Sequence, residues 1–130
     1  MINSIQGNVD DFGIDTISFA GTLEAKLKAA REVGFTQIML SARDVVGHPD
    51  GLDAAVRAVK ASGLRVTGFQ VLRDFEGLSG HLHDYKIDIA KSMLEMCAAL
   101  GSKILLVCSS TSTHASQDLD VLAKDLRKLA

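Results

Sequence analysis

Three times in this chain a helical stretch runs into a glycine, and an apolar segment follows at once. The joints are Val33-Gly34-Phe35, Ser62-Gly63-Leu64 and Leu100-Gly101-Ser102. Glycine suits the left-handed residue that closes a helix, because it has no Cβ to clash. A helix closed this way and followed directly by a strand is the short αβ turn of α/β proteins. Repetition of that joint constrains the fold more than any other feature. It implies β-α-β-α-β-α-β-α order, parallel strands and right-handed crossovers.

The apolar segments place four short strands at 16–20, 37–41, 65–69 and 104–108. The last, Ile104-Leu105-Leu106-Val107-Cys108, is apolar throughout, as expected for a parallel strand covered on both faces. Ser18, Thr67 and Gly68 are small or polar residues that suit the inside of a closed barrel. The intervening helices are amphipathic. Thr22 is placed to cap the first, with Leu23, Leu27 and Ala30 on one face. Asp50 is placed to cap the second, with Leu52, Ala55, Val56 and Val59 aligned. The third is expected from about 83 to 100, and a fourth from Ser116 onward, carrying Leu119, Leu122, Ala123, Leu126 and Leu129.

Two architectures accommodate this order: an open doubly wound sheet, or half of a (β/α)₈ barrel. No G-x-G-x-x-G follows any strand and no G-x-x-x-x-G-K-[ST] is present, which counts against nucleotide-binding versions of the first. The 130 residues, 47% hydrophobic and 23% charged, suffice for a real core. The net charge of −2 offers no electrostatic footprint for nucleic acid or an anionic membrane surface. No apolar run approaches the roughly 18–20 residues of a membrane span, and the N-terminus lacks the basic start and apolar stretch of a secretory signal. Cys97 and Cys108 lie in apolar segments and read as free thiols of a reducing compartment. The expectation is a cytoplasmic protein with a small-molecule substrate and neither a nucleic-acid nor a membrane partner.

Three segments carry a resemblance that chooses between the architectures. They are Phe69-Gln70-Val71-Leu72-Arg73-Asp74-Phe75-Glu76-Gly77, Leu105-Leu106-Val107-Cys108-Ser109-Ser110 and Thr16-Ile17-Ser18-Phe19-Ala20-Gly21-Thr22. Together they resemble the sugar-phosphate isomerase/epimerase-like group of the xylose-isomerase-like barrels, and within it the bacterial 3-dehydroshikimate dehydratases. The resemblance implies a parallel (β/α)₈ TIM barrel of which the chain supplies about the first four units, with 1–13 a lead-in and 14–130 the half-barrel. It implies an enzyme that uses a divalent cation (Mn²⁺, Mg²⁺, Co²⁺ or Zn²⁺) and often forms homo-oligomers. In such enzymes the cation is held by residues of the fifth and later strands, so no metal ligand is carried over to this chain. The second strand departs from the dehydratase pattern. Where the family often places an acidic residue near the strand end, this chain reads Ile38-Met39-Leu40-Ser41-Ala42-Arg43-Asp44.

A barrel's active site lies at the C-terminal ends of its strands. The substrate-binding candidates there are Gln70, Arg73 and Glu76 after the third strand, His48 after the second, and Ser109 and His114 after the fourth. Arg73 has the donor fork that matches paired carboxylate or phosphate oxygens. Its alternative role is a structural ion pair with Asp74 or Glu76, and those two carboxylates equally suit orienting the loop. His48, ahead of Pro49, reads as an exposed loop residue with a minor chance of touching substrate. The hydroxyl-rich run from Ser109 to Thr113 suits anion binding at a helix start, or ordinary capping. His81 and His83 form an H-x-H pair in what reads as a loop, where solvation is the simpler reading.

Three functions fit. The first is metal-dependent isomerisation or epimerisation of a small hydroxylated carbonyl compound by the intact protein. The second is dehydration of 3-dehydroshikimate. The third is a non-catalytic half-barrel that dimerises, with the fragment alone inactive. An endonuclease IV-like role is disfavoured by the absence of a basic stripe.

Overall fold

In the computed structural model, which describes residues 10 and 12–130, all three joint glycines adopt positive φ: 102° at Gly34, 72° at Gly63 and 72° at Gly101. Each closes a helix and releases the chain into a strand. The elements in order are β1 (Gly13–Asp15), a 3₁₀ turn (Thr16–Ser18), α1 (Leu23–Val33), β2 (Gln37–Ser41), α2 (Ala42–Val46), α3 (Leu52–Ser62), β3 (Arg65–Arg73), α4 (Gly80–Leu100), β4 (Leu105–Cys108) and α5 (Leu119–Leu126). The lead-in expected over 1–13 lies largely outside the described residues.

The strands form one parallel sheet in the order β1-β2-β3-β4. A doubly wound sheet reverses its strand order about a switch point; strands laid down strictly in sequence are the order of a barrel. Register pairs Ile38 with Val66, Leu40 with Phe69, and Phe69 with Leu105. These side chains join Leu27, Ala30, Ala55, Val59, Met93 and Cys97 in a core between the sheet and α1, α3 and α4. Phe69, Phe75, Ile38, Leu40 and Leu72 are fully buried in it.

Alternation along the strands puts Gly13, Asp15, Met39, Ser41, Gly68, Gln70 and Leu106 on the opposite, helix-free face. There Met39 lies across Gly68. A Cβ on Gly68 would stand 2.7 Å from Met39 Cε, so a side chain there would push the flexible thioether tip aside. Ile104 and Leu106 are 56% and 38% exposed, so β4 is not covered on both faces as its apolar sequence implies. Among the described residues β4 pairs only with β3, and β1 only with β2.

Several boundaries differ from the sequence expectation. The first strand is Gly13–Asp15, and 16–18 form a turn instead. Asp15 accepts a hydrogen bond from Ile17 N at 2.9 Å, and the fully buried Thr16 accepts one from Ser41 N at 3.0 Å, which together bend the chain. The third strand runs on to Arg73, with a register shift between Gln70 and Leu72 where the Gln70–Val71 peptide is cis. The span after the second strand contains α2 rather than an open loop. Finally, α3 is capped by Gly51 and α5 by Asp118, in place of Asp50 and Ser116. Among the described residues no helix is long and apolar enough to cross a membrane.

Candidate functional site

The C-terminal ends of β1, β2 and β3 meet at one mouth. Adjacent strands lie about 4.8 Å apart, so β1 and β3 are separated by roughly twice that in a flat sheet. Yet Gln70 Nε2 donates a hydrogen bond to Asp15 Oδ2 across the intervening β2. A direct contact between these two side chains requires the sheet to curve toward its helix-free face, as strands do when they enclose a barrel interior. Both Asp15 oxygens thereby have a partner, Oδ1 accepting from Ile17 N and Oδ2 from Gln70. Gln70 is 9% exposed, and its Oε1 has no partner among the described residues.

Arg73 ends β3 three residues further on, opposite Cys108. It is exposed, and its guanidinium makes no hydrogen bond or ion pair among the described residues. Its backbone is held instead: Lys86 Nζ donates to Arg73 O at 2.8 Å. Neither Asp74 nor Glu76 pairs with it.

Those carboxylates are used to fix the turn. Asp74, at φ 51°, accepts from Thr111 N at 2.7 Å and from Thr111 Oγ1 at 3.3 Å. The Thr111 backbone bond is the main cause that holds the Asp74 carboxyl below its ordinary value. Glu76 is buried; its Oε1 accepts from Ser110 N at 2.8 Å, and Ser110 Oγ donates to Glu76 O. Its Oε2 is buried without a partner. Gly77 N donates to the buried Asp125 Oδ2 at 2.9 Å, and Gly77 O accepts from Ser116 N at 2.7 Å. Burial alone would raise the Asp125 carboxyl, but the Gly77 N–H together with Lys128 and His83 outweighs it, leaving the group lowered. The turn after β3 and the loop after β4 are therefore stitched into one unit.

The remaining candidates are dispersed. His48 is buried, not exposed as its place before Pro49 suggested. Its Nε2 lies 2.6 Å from Glu24 Oε1, and its Nδ1 accepts from Asp50 N at 3.1 Å. That pairing lowers the Glu24 carboxyl. With Thr22, Glu24, Arg43, Asp44 and Pro49 it borders a pocket of about 280 Å³ between the loops after β1 and β2. Asp44 is taken by Lys26 at 2.8 Å, whereas Arg43 is exposed. Ser109 and His114 are exposed on the loop after β4. His81 and His83 fall inside α4, where residues two apart point to different sides. His81 is exposed, while His83 lies against Phe75, 6.2 Å between ring centroids, with Nε2 2.7 Å from Lys128 Nζ. Cys97 is buried, and that burial raises its thiol.

Of the residues singled out in the sequence, then, Gln70 and Arg73 share the mouth, Glu76 sits behind it, and His48 and His114 stand apart. Asp15 was missed because the first strand was placed one residue beyond it. An acidic residue directly after Gly13-Ile14 and before a threonine was the available signal. Among the described residues no three of His, Cys, Asp and Glu come together in a way that could hold a metal ion. The residues described do not by themselves supply a ligand set for the divalent cation that the resemblance implies.

Comparison with known proteins agrees with this fold. Residues 27–130 match the family model described as xylose isomerase-like TIM barrel. The chain is 36% identical over 118 residues to a 3-dehydroshikimate dehydratase of Pseudomonas aeruginosa and 34% identical over 117 residues to one of Pseudomonas putida. These alignments cover 90% and 89% of the chain but 18% of each relative, so the chain spans about 18% of the length of the curated relatives it matches. Among solved structures, a xylose isomerase-like TIM barrel/4-hydroxyphenylpyruvate dioxygenase fusion protein superposes with a TM-score of 0.81 at 31% identity, covering 90% of this chain and 19% of that one. The 3-keto-D-glucoside 4-epimerase of E. coli superposes at 0.58 with 19% identity, covering 85% of this chain and 46% of that one, a likeness of fold. The chain belongs to the xylose isomerase-like TIM-barrel family, and its four parallel strands are part of a (β/α)₈ barrel.

Proposed function

We propose that this chain forms the substrate-holding part of an enzyme that dehydrates 3-dehydroshikimate to protocatechuate. The observation that carries this reading is the pairing, at one strand-end mouth, of an unpartnered guanidinium (Arg73) with an unpartnered amide oxygen (Gln70 Oε1). That pair suits a small acid bearing hydroxyls. Arg73 takes the carboxylate through paired N–H donors, and Gln70 accepts from a hydroxyl. Identity with two 3-dehydroshikimate dehydratases supports the choice of acid. In the reaction a base removes the proton beside the ketone, and the resulting enolate expels hydroxide, which leaves as water. The base and the divalent cation lie, in this proposal, outside the described residues.

The test is incubation of the protein bearing this chain with 3-dehydroshikimate, with and without added Mn²⁺ or Mg²⁺, following protocatechuate. Product above the metal-free control is expected, and its absence discards the dehydratase. Isomerisation or epimerisation of a small hydroxylated carbonyl compound, supported at the level of the family, then becomes the reading to pursue.

A second reading concerns the 130 residues by themselves. Among the described residues the outer strands are paired on one side only, and Ile104 and Leu106 are exposed on the helix-free face. Unpaired edges of this kind template further strands. Two copies placing β4 of each beside β1 of the other would supply eight strands and close a non-catalytic barrel. Sedimentation of the isolated chain as a dimer is expected, and a stable, well-dispersed monomer would contradict it.

A further inference from the structure

The Asp15–Gln70 contact determines which end of an amide faces the mouth, and we infer that Asp15 is the positioning residue that makes this subsite accept a ligand hydroxyl. Both Asp15 oxygens are acceptors only, since the carboxylate has no hydrogen to give. Oδ1 is occupied by Ile17 N and Oδ2 by Gln70. Gln70 meets Oδ2 with its NH₂ group, since its oxygen facing a carboxylate would set two acceptors against each other. The Gln70 oxygen is thereby turned the other way, without a partner among the described residues, on the face that also carries Arg73. The subsite accepts a hydrogen bond from its ligand, and Arg73, three residues further along β3, donates. A hydroxyl and a carboxylate are thus told apart by two residues of one strand. Asp15 itself reaches the ligand only through Gln70.

The logic is reversible, which makes it testable. Asp15→Asn keeps one oxygen for Ile17 N and presents an NH₂ to Gln70. Gln70 must answer with its oxygen, so its NH₂ swings toward the ligand and the acceptor is lost. Gln70→Glu alone sets two carboxylates face to face. The double variant Asp15→Asn/Gln70→Glu pairs an NH₂ with a carboxylate oxygen and returns an acceptor to the mouth.

The probe is 3-dehydroshikimate, chosen on the functional reading above, titrated into the protein bearing this chain. Each single variant is expected to weaken binding on the order of tenfold, as for one lost hydrogen bond. The double variant is expected to bind within about threefold of the parent, a rescue beyond additivity. Parent-like binding by Asp15→Asn, or a double variant no better than the sum of the singles, overturns the inference. If the parent does not bind this acid, the functional reading fails, and the positioning claim is judged without ligand. The Gln70 side-chain amide protons are then read by NMR, assigned by their loss in Gln70→Glu. Slowed exchange in the parent that disappears in Asp15→Ala supports the inference. Fast exchange in the parent overturns it.

Discussion

The two polar regions at the strand ends are built on opposite plans. Behind the mouth, the turn 74–77 commits polar groups to the loop after β4 and to α5: Asp74 to Thr111, Glu76 to Ser110, Gly77 to Ser116 and to Asp125 of α5. At the mouth, Arg73 and the Gln70 oxygen are held in place by their backbone and by Asp15 yet left with open valence. The residues separating the two plans are adjacent in sequence. Charge therefore says little about role here. Glu76 and Arg73 look equally suited to a ligand on paper, but one is consumed in holding the other's platform.

If that contrast is right, changes in the turn act on stability and changes at the mouth act on binding. The largest effect is expected from Phe75→Ala, because the ring is fully buried between the turn and the core. A loss of about 3–5 kcal/mol is expected by denaturant unfolding. Next comes Glu76→Ala, which strands the Ser110 N–H. A charged acceptor lost from a buried site costs roughly 1.5–3 kcal/mol, again read from unfolding midpoints.

Acid sharpens the comparison further. Asp74 and Asp125 both sit below their ordinary value of 3.8 in the folded chain. A depressed carboxyl contributes its stability in full above the unfolded value and loses it as pH falls through the folded one. Stability should therefore drop from about pH 3.8 downward, and Asp74→Asn with Asp125→Asn should flatten that limb of the pH–stability curve. An unchanged slope would mean these contacts are not formed in solution. The smallest effect on stability belongs to Arg73→Ala, within about ±0.5 kcal/mol for an exposed, unpaired side chain. The same variant should weaken binding of 3-dehydroshikimate by tenfold or more, on the scale of a charge-assisted pair. A variant that loses stability and binding together would erase the distinction between the two regions.

What could be seen in the sequence follows the range of the interactions involved. The helix–glycine–strand joints are local, and their three glycines alone reveal the alternation and the parallel sheet. The second strand, Gln37–Ser41, was readable to the residue because it is a short apolar run that starts just after the Gly34 joint. The misplaced first strand is a different case. Its end is set by Thr16 meeting Ser41 and Asp15 meeting Gln70, contacts 25 and 55 residues apart in sequence that no local pattern encodes. His48 was misread for the same reason: its partner Glu24 is 24 residues away on α1. Arg73 was read as following a strand that ended at 69; the structure makes it that strand's last residue, and neither neighbouring carboxylate claims it.

The crossing of Met39 over Gly68 bears on depth. A methyl group added at position 68 would meet the tip of a flexible thioether, which would have to lift away from the sheet into the volume the strands enclose. That shift would raise the bottom of the vessel beneath Gln70 without altering a single group at its rim. The depth of the space at the strand ends is thus open to adjustment at a residue with no side chain of its own.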